Sequence, residues 1–451
     1  MGVRVNSAGN QLRQGRAQAR HRAVGREGRD ELKPIRAARA TALRKNAPLG
    51  ARNRNAALAL LVGAVMLVAT ACGGDDGGDA KGGSGGSGKG GGKNAASAAV
   101  VNIVPKNKAA DVATDGTLKV TASKGKLTSV EVADDKGDKV PGRITKGGTA
   151  WEPSEHLGPN TKYTVDAVAK DADGRESAKH STFTTVVPKD TFVGYFTPED
   201  GSTVGTGMEV SLNFNRPVTN QKSVQQAITV TASPSVPVKG HWFGNQRLDF
   251  RPENYWAKGT KVKLSLRLKG VEGADGVYGT QSKDVNFTVG RSQVSVVDAA
   301  KHTMKVTRDG KLIKTVPITA GSPSTTTYNG KMVITEKYKV TRMNGDTVGF
   351  GGEYDIKDVP HAMRLTTSGT FVHGNYWAGP STFGSANVSH GCVGLLDHRG
   401  ANDAGTPAAW FYDQSIIGDV VEVKNSKDKT VDPSNGLNGW NMSWAEWTAA
   451  Q

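Results

Sequence analysis

Between about Ala99 and Val289 the chain is written in short runs of alternating apolar and polar residues, each closed by an Asp/Gly turn signal. LKVTAS begins at Leu118, LTSVEVADDKG at Leu127 and YTVDAVAKDADG at Tyr163. A period of two puts every second side chain on one face, so each run can bury one side only by lying in a sheet. Runs this short, broken this often, exclude a helical bundle. Abundant glycine (57 residues) and sparse aromatics (6%) agree with turn-rich β structure.

The spacing and a length of about 90 residues suit an immunoglobulin-like β-sandwich over 99–190. A second unit, 191–291, carries MEVSLNFNRPV, AITVTA, RLDFRPENYW and KVKLSLRL as strands. The two units close alike, on STFTTV at Ser181 and VNFTVG at Val285, consistent with two sandwiches in series. Neither shows a cluster of acids, His or Cys in its sequence, so both read as spacers or binding modules. A third unit, 292–424, opens with a strand, a hairpin turn at Asp309-Gly310 and a second strand. The expected class is all-β: two immunoglobulin-like sandwiches followed by a β-rich third domain. In the tail, 425–451, Trp440, Trp444 and Trp447 are spaced by four and three, which places the rings on one strip. Three exposed indoles are costly, so the tail is expected to dock on the third domain, a packing role being weighed above carbohydrate binding.

The formal charge of +16 does not mark a nucleic-acid binder. Residues 1–55 hold 14 Lys/Arg against 3 acidic residues, which leaves only +5 for the rest of the chain. That basic stretch reads as a disordered extension. From Ala56 to Ala71 run 16 residues without a charge, preceded by Arg52 and Arg54 and ending in Ala69-Thr70-Ala71. Such a segment is short of the roughly 20 residues a membrane span needs and has the layout of a secretory signal. An uncleaved signal anchor is the alternative. Gly73–Lys93 begins a flexible Gly-rich linker, 73–98, with a coil reach of roughly 25 Å.

Two cysteines occur, Cys72 and Cys392. One disulfide would satisfy both, but each sits in a context that explains it separately. Around the second run Thr370-Phe-Val-His373-Gly374-Asn-Tyr-Trp377 and Asn387-Val-Ser389-His390-Gly391-Cys392-Val-Gly394. An imidazole near a thiol can take its proton and make the reactive thiolate. A glycine before the cysteine lets the backbone approach a carbonyl, so the Gly391 and Cys392 amides form a candidate oxyanion hole. A zinc site built on His390 and Cys392 lacks usual ligand spacing and an evident fourth ligand. A structural buried cysteine is the other bland reading.

The His-Gly pair followed by Ser-His-Gly-Cys resembles the signature of the L,D-transpeptidases, the YkuD-domain family, over about Gln293–Val423. The two upstream sandwiches and Trp-rich tail resemble actinobacterial members. The resemblance implies Cys392 as nucleophile, His373 as its base and Gly374 as the residue whose carbonyl orients the imidazole. Ser368 and Gly369 match cleft positions, Tyr354 a lid tyrosine, and Ser389, His390 and Gly391 the positions flanking the nucleophile. Gly394 stands where the family usually has an Asn that contacts substrate. The small residues before Cys72 resemble a lipobox, with Ala69 in place of the usual Leu, and imply a diacylglyceryl anchor on the outer face of the membrane. The implied reaction is two-step acyl transfer between peptidoglycan stem peptides through a Cys392 thioester, without cofactor or metal, and with carbapenems as covalent inhibitors. Rivals are a cysteine hydrolase, a sortase using Arg399, and a wall-binding lipoprotein with a degenerate catalytic domain.

Overall fold

The computed structural model describes residues 96–345 and 354–449. The basic extension, the apolar segment, Cys72 and all but the end of the linker lie outside the described residues. Among the described residues no helix is long and apolar enough to cross a membrane.

Alternation becomes sandwich geometry directly. In Lys162–Lys170 the residues Tyr163, Val165, Ala167 and Ala169 face inward and are buried. This strand lies between Lys126–Asp134 and Glu176–Thr185, with Ala109–Val112 at the edge. The facing sheet runs Val100–Val104, Lys119–Ser123, Ala150–Pro153, Gly142–Thr145. Val120, Trp151, Val165 and Phe183 fill the space between, each fully buried side chain contributing about 1.5–3 kcal/mol. Asp171 makes the turn after Lys162–Lys170, accepting from the amides of Asp173 and Arg175 at 3.0 and 2.9 Å.

The second sandwich pairs Gly194–Thr197, Val210–Phe214, Arg247–Arg251 and Lys239–Phe243 against Thr203–Gly205, Ser282–Arg291, Lys261–Arg267 and Ile228–Ser233. Its core is Leu212, Leu248, Leu264, Phe287 and Trp242. Contrary to the sequence reading, this unit does hold a charge cluster. Glu209, Asp249 and Arg251 are buried beside the part-exposed Arg247. These four residues are scattered over two strand runs and only the folded sheet brings them together.

The cluster explains a second departure. The tryptophan tail docks chiefly on the second sandwich, not on the third domain. The Arg251 guanidinium lies 4.9, 5.5 and 4.4 Å from the rings of Trp440, Trp444 and Trp447. Trp447 stacks on His241 at 5.0 Å and donates to the Lys239 carbonyl at 2.9 Å. The tail also touches the third domain through Asn438 and Asn441, whose side-chain oxygens accept from the amides of Val333 and Lys331.

The third unit is two sheets around Val297, Met304, Met332, Val372 and Val421. One runs Lys311–Pro317, Thr303–Arg308, Gln293–Asp298, Val420–Lys424, Gly330–Val333. The stretch before Asp309 is therefore two strands with a turn at 299–302, where the sequence reading placed one. Asp309 and Gly310 both take positive φ, 48° and 79°, the geometry a tight two-residue hairpin demands. The other sheet, Glu336–Asn344, Asp355–Arg364, Phe371–Asn375, Val393–Leu396, carries the chemistry.

Candidate active site

His373 and Cys392 are brought together by a parallel strand pair. Val372 faces Val393 and His373 faces Gly394, so Cys392 emerges at the start of its strand beside the histidine's strand. The imidazole is buried, and its Nδ1 lies 2.8 Å from the Gly374 carbonyl. This contact leaves Nε2 as the atom able to take a proton. Trp377, a residue 44% exposed, stacks its ring on the imidazole at 5.5 Å and 17°.

The Cys392 thiol is half-buried and free. Its Sγ lies 3.6 Å from the Gly369 carbonyl and accepts from the Phe371 amide at 3.4 Å. Burial pushes the thiol up to about 11, opposed by the Phe371 amide and the Arg364 charge, while burial pushes the His373 imidazole down. Both directions favour a neutral thiol and a neutral imidazole in the free protein. Arg364 is the cation that matters here, although its sequence context did not single it out. Arg399 instead pairs with Asp358 at the surface.

Ser389 closes the turn before the nucleophile. Its hydroxyl donates to the Cys392 carbonyl at 2.5 Å and accepts from the Gly391 amide at 3.2 Å. The Gly391 amide, expected to help bind an oxyanion, is thus already engaged. Gly391 has φ 113°, which only glycine adopts without strain. Ser368 sits on the exposed turn at the cleft edge, where Asn435 of the tail accepts from its amide at 2.9 Å and donates to its hydroxyl at 2.8 Å. Asn435 was not legible as a cleft residue, being 67 positions away. Tyr354, the first described residue after 353, lies with its ring 5.1 Å from that of His390. A cavity of about 290 Å³ opens here, lined by Tyr328, Ser368, Gly369, His390, Gly391 and Asp428. Among the described residues no three His, Cys, Asp or Glu converge as metal ligands.

Gly394 is buried, and a β-carbon there would lie 2.8 Å from Thr319 Cγ2 and 3.4 Å from Asn375 Cβ and Nδ2. The place of an Asn side chain is already taken by neighbours.

Residues 292–423 match the family described as the L,D-transpeptidase catalytic domain, and 109–272 match a bacterial Ig domain. L,D-transpeptidase 2 of Mycobacterium tuberculosis is 31% identical over 394 residues, spanning 87% of this chain and 94% of that protein. The chain belongs to the L,D-transpeptidase family. L,D-transpeptidase 5 of the same species is 29% identical, over 76% of this chain and 75% of that protein. A solved L,D-transpeptidase in complex with imipenem superposes with a TM-score of 0.44 at 27% identity, over 53% of this chain and all of that one. As an L,D-transpeptidase this protein is an acyltransferase of the cell wall, all-β in class, with immunoglobulin-like units ahead of the catalytic domain.

Proposed function

We propose that this L,D-transpeptidase joins the third residues of two peptidoglycan stem peptides through a Cys392 thioester, releasing D-Ala. The observation carrying this reading is the placement of Cys392 directly ahead of the strand that runs parallel to the strand of His373, beside a cavity that Gly369 and Gly391 line. As the substrate carbonyl approaches, Sγ attacks it and the thiol proton passes to His373 Nε2. The imidazolium then protonates the departing D-Ala amine. In the second step an acceptor side-chain amine attacks the thioester, His373 takes its proton, and the thiol is restored. The Gly374 carbonyl holds the ring through Nδ1 in both steps. Tyr354, Ser368, His390 and Gly391 form the rim that receives the peptides.

Carbapenems present a strained carbonyl to the same thiolate and are expected to acylate Cys392. We further propose lipidation at Cys72, with the 73–98 linker holding the enzyme on the outer membrane face within reach of the wall. The divisions at 190/191 and 291/292 are supported by three hydrophobic cores, two of which also take in tail residues, Leu437 and Trp440 with the second unit and Val431 with the third. Incubation with a tetrapeptide donor and analysis of the products by mass spectrometry tests the function. A dimer lighter by one alanine is expected; unchanged donor, with folded protein, contradicts it.

A further inference from the structure

Behind the catalytic histidine lies a buried carboxylate that the reaction as described does not use. Asp397 is 2% exposed, at the end of the Val393–Leu396 strand. One oxygen accepts from Thr406 Oγ1 at 2.9 Å and from the His398 amide at 2.8 Å. The other lies 2.7 Å from Nδ1 of His361, itself 4% exposed. His361 makes this contact from φ 48°, an uncommon conformation for a residue other than Gly, though one that His enters more readily than most. Three groups thus fix one carboxylate in the protein interior.

Gly374 shows what that carboxylate is placed for. A β-carbon on Gly374 would collide with Asp397 Oδ2 and lie 2.7 Å from its Cβ and Cγ. The residue whose carbonyl orients His373 is a glycine because the Asp397 carboxylate occupies its side-chain space. The anion therefore lies against the residue whose carbonyl holds His373 Nδ1. The Trp377 ring stacks on His373, Gly394 pairs with it across the strands two residues after Cys392, and Asp397 is the charged group that acts on it. Facing the Asp397–His361 pair are Thr406 and, across the helix Pro407–Gln414, the Tyr412 ring at 5.2 Å from His361. Lys337 lies over the Tyr412 ring at 4.1 Å, held by the carbonyls of Tyr412 and Ser415.

We propose that Asp397 is a positioning residue for catalysis, held by His361 and Thr406 beneath Gly374 so that its charge favours the His373 imidazolium formed as Cys392 loses its proton. No proton moves to Asp397; the thiol proton goes to His373 and from there to the leaving amine. In a site that burial makes hostile to a charged ring, a fixed anion offsets the desolvation of the imidazolium. The Asp397 effect raises the His373 imidazole against the larger lowering by burial.

The proposal rests on His373 as base, so wild type and His373→Ala are compared first by rate of acylation with imipenem. No adduct in wild type, or an undiminished rate in His373→Ala, would overturn the base and Asp397's role with it. Acylation rate is then followed against pH for Asp397→Asn, with thermal unfolding measured alongside. A loss of about tenfold or more at neutral pH is expected, with the acidic limb moved to lower pH, since removing the anion makes the imidazolium lose its proton more readily. If Asp397→Asn does not fold, Gly374→Ala, which must push the carboxylate aside, is read by the same profile. A lower melting temperature with rate and acidic limb unmoved, in whichever variant folds, would make Asp397 a structural residue only and overturn the proposal.

Discussion

Cys392 Sγ hydrogen-bonds the Gly369 carbonyl at 3.6 Å, and no hydrogen bond among the described residues joins it to His373. The nucleophile therefore rests as a thiol, with its proton pointed at backbone, and is activated only when substrate approaches. With burial holding Cys392 up to about 11, alkylation of the free enzyme by iodoacetamide should be slow at pH 7, about two orders of magnitude below an unperturbed cysteine. The rate should climb as pH rises towards 11. Measured alkylation rates that plateau below pH 8 would show a preformed ion pair instead.

Gly394 marks where sequence comparison and packing diverge. Restoring an Asn there forces Thr319, fully buried and paired with Gly394 on both backbone hydrogen bonds, to move. Gly394→Asn should destabilise the catalytic domain by about 1–3 kcal/mol through overpacking, without improving donor use. Chemical denaturation and product assays check the two parts independently.

The second sandwich carries a pH-sensitive acid. Glu209 is fully buried, both its oxygens lack a hydrogen-bond partner, and burial together with Asp249 raises its carboxyl to about 8. A folded-state value above the unfolded one means its protonated form supports the fold fully below about pH 4.5, and that support is lost as pH rises through about 8. Glu209→Gln should therefore raise stability more at pH 8 than at pH 5, by on the order of 1–3 kcal/mol. An equal change at both pH values in thermal melts would show that the carboxyl is ionised throughout.

The tail is a structural clamp. Trp447 is fully buried, stacked between His241 and Arg251. Trp447→Ala should cost about 3–5 kcal/mol and take from the Arg251 charge the nearest of its three aromatic rings. Calorimetry would place the loss in the second sandwich. A loss confined to the catalytic domain would reverse the docking described above.

Much of this was legible because it is local. Strand alternation, the Asp309-Gly310 turn and the His373 and Cys392 motifs each depend on residues a few positions apart. What escaped the sequence depends on residues far apart. The charges at Glu209, Asp249 and Arg251 are unremarkable in their own strands and become a cluster only when those strands pair. Asn435 reaches Ser368 from the tail, and Asp397 reaches under Gly374 from another strand. The tail was assigned to the wrong neighbour because its tryptophans announce burial without naming the surface, and the Arg251 that receives them lies nearly 190 residues earlier. The turn at 299–302 was missed because Ala-Ala-Lys-His has no Gly, Pro or Asn signal, His302 supplying the positive φ instead.

Intact-protein mass spectrometry of the chain from Ala99 onward, incubated with a carbapenem, tests the central assignment most directly. A single covalent adduct in wild type that is absent in Cys392→Ala is the result this account predicts. An adduct that persists in folded Cys392→Ala would contradict it and place the nucleophile elsewhere.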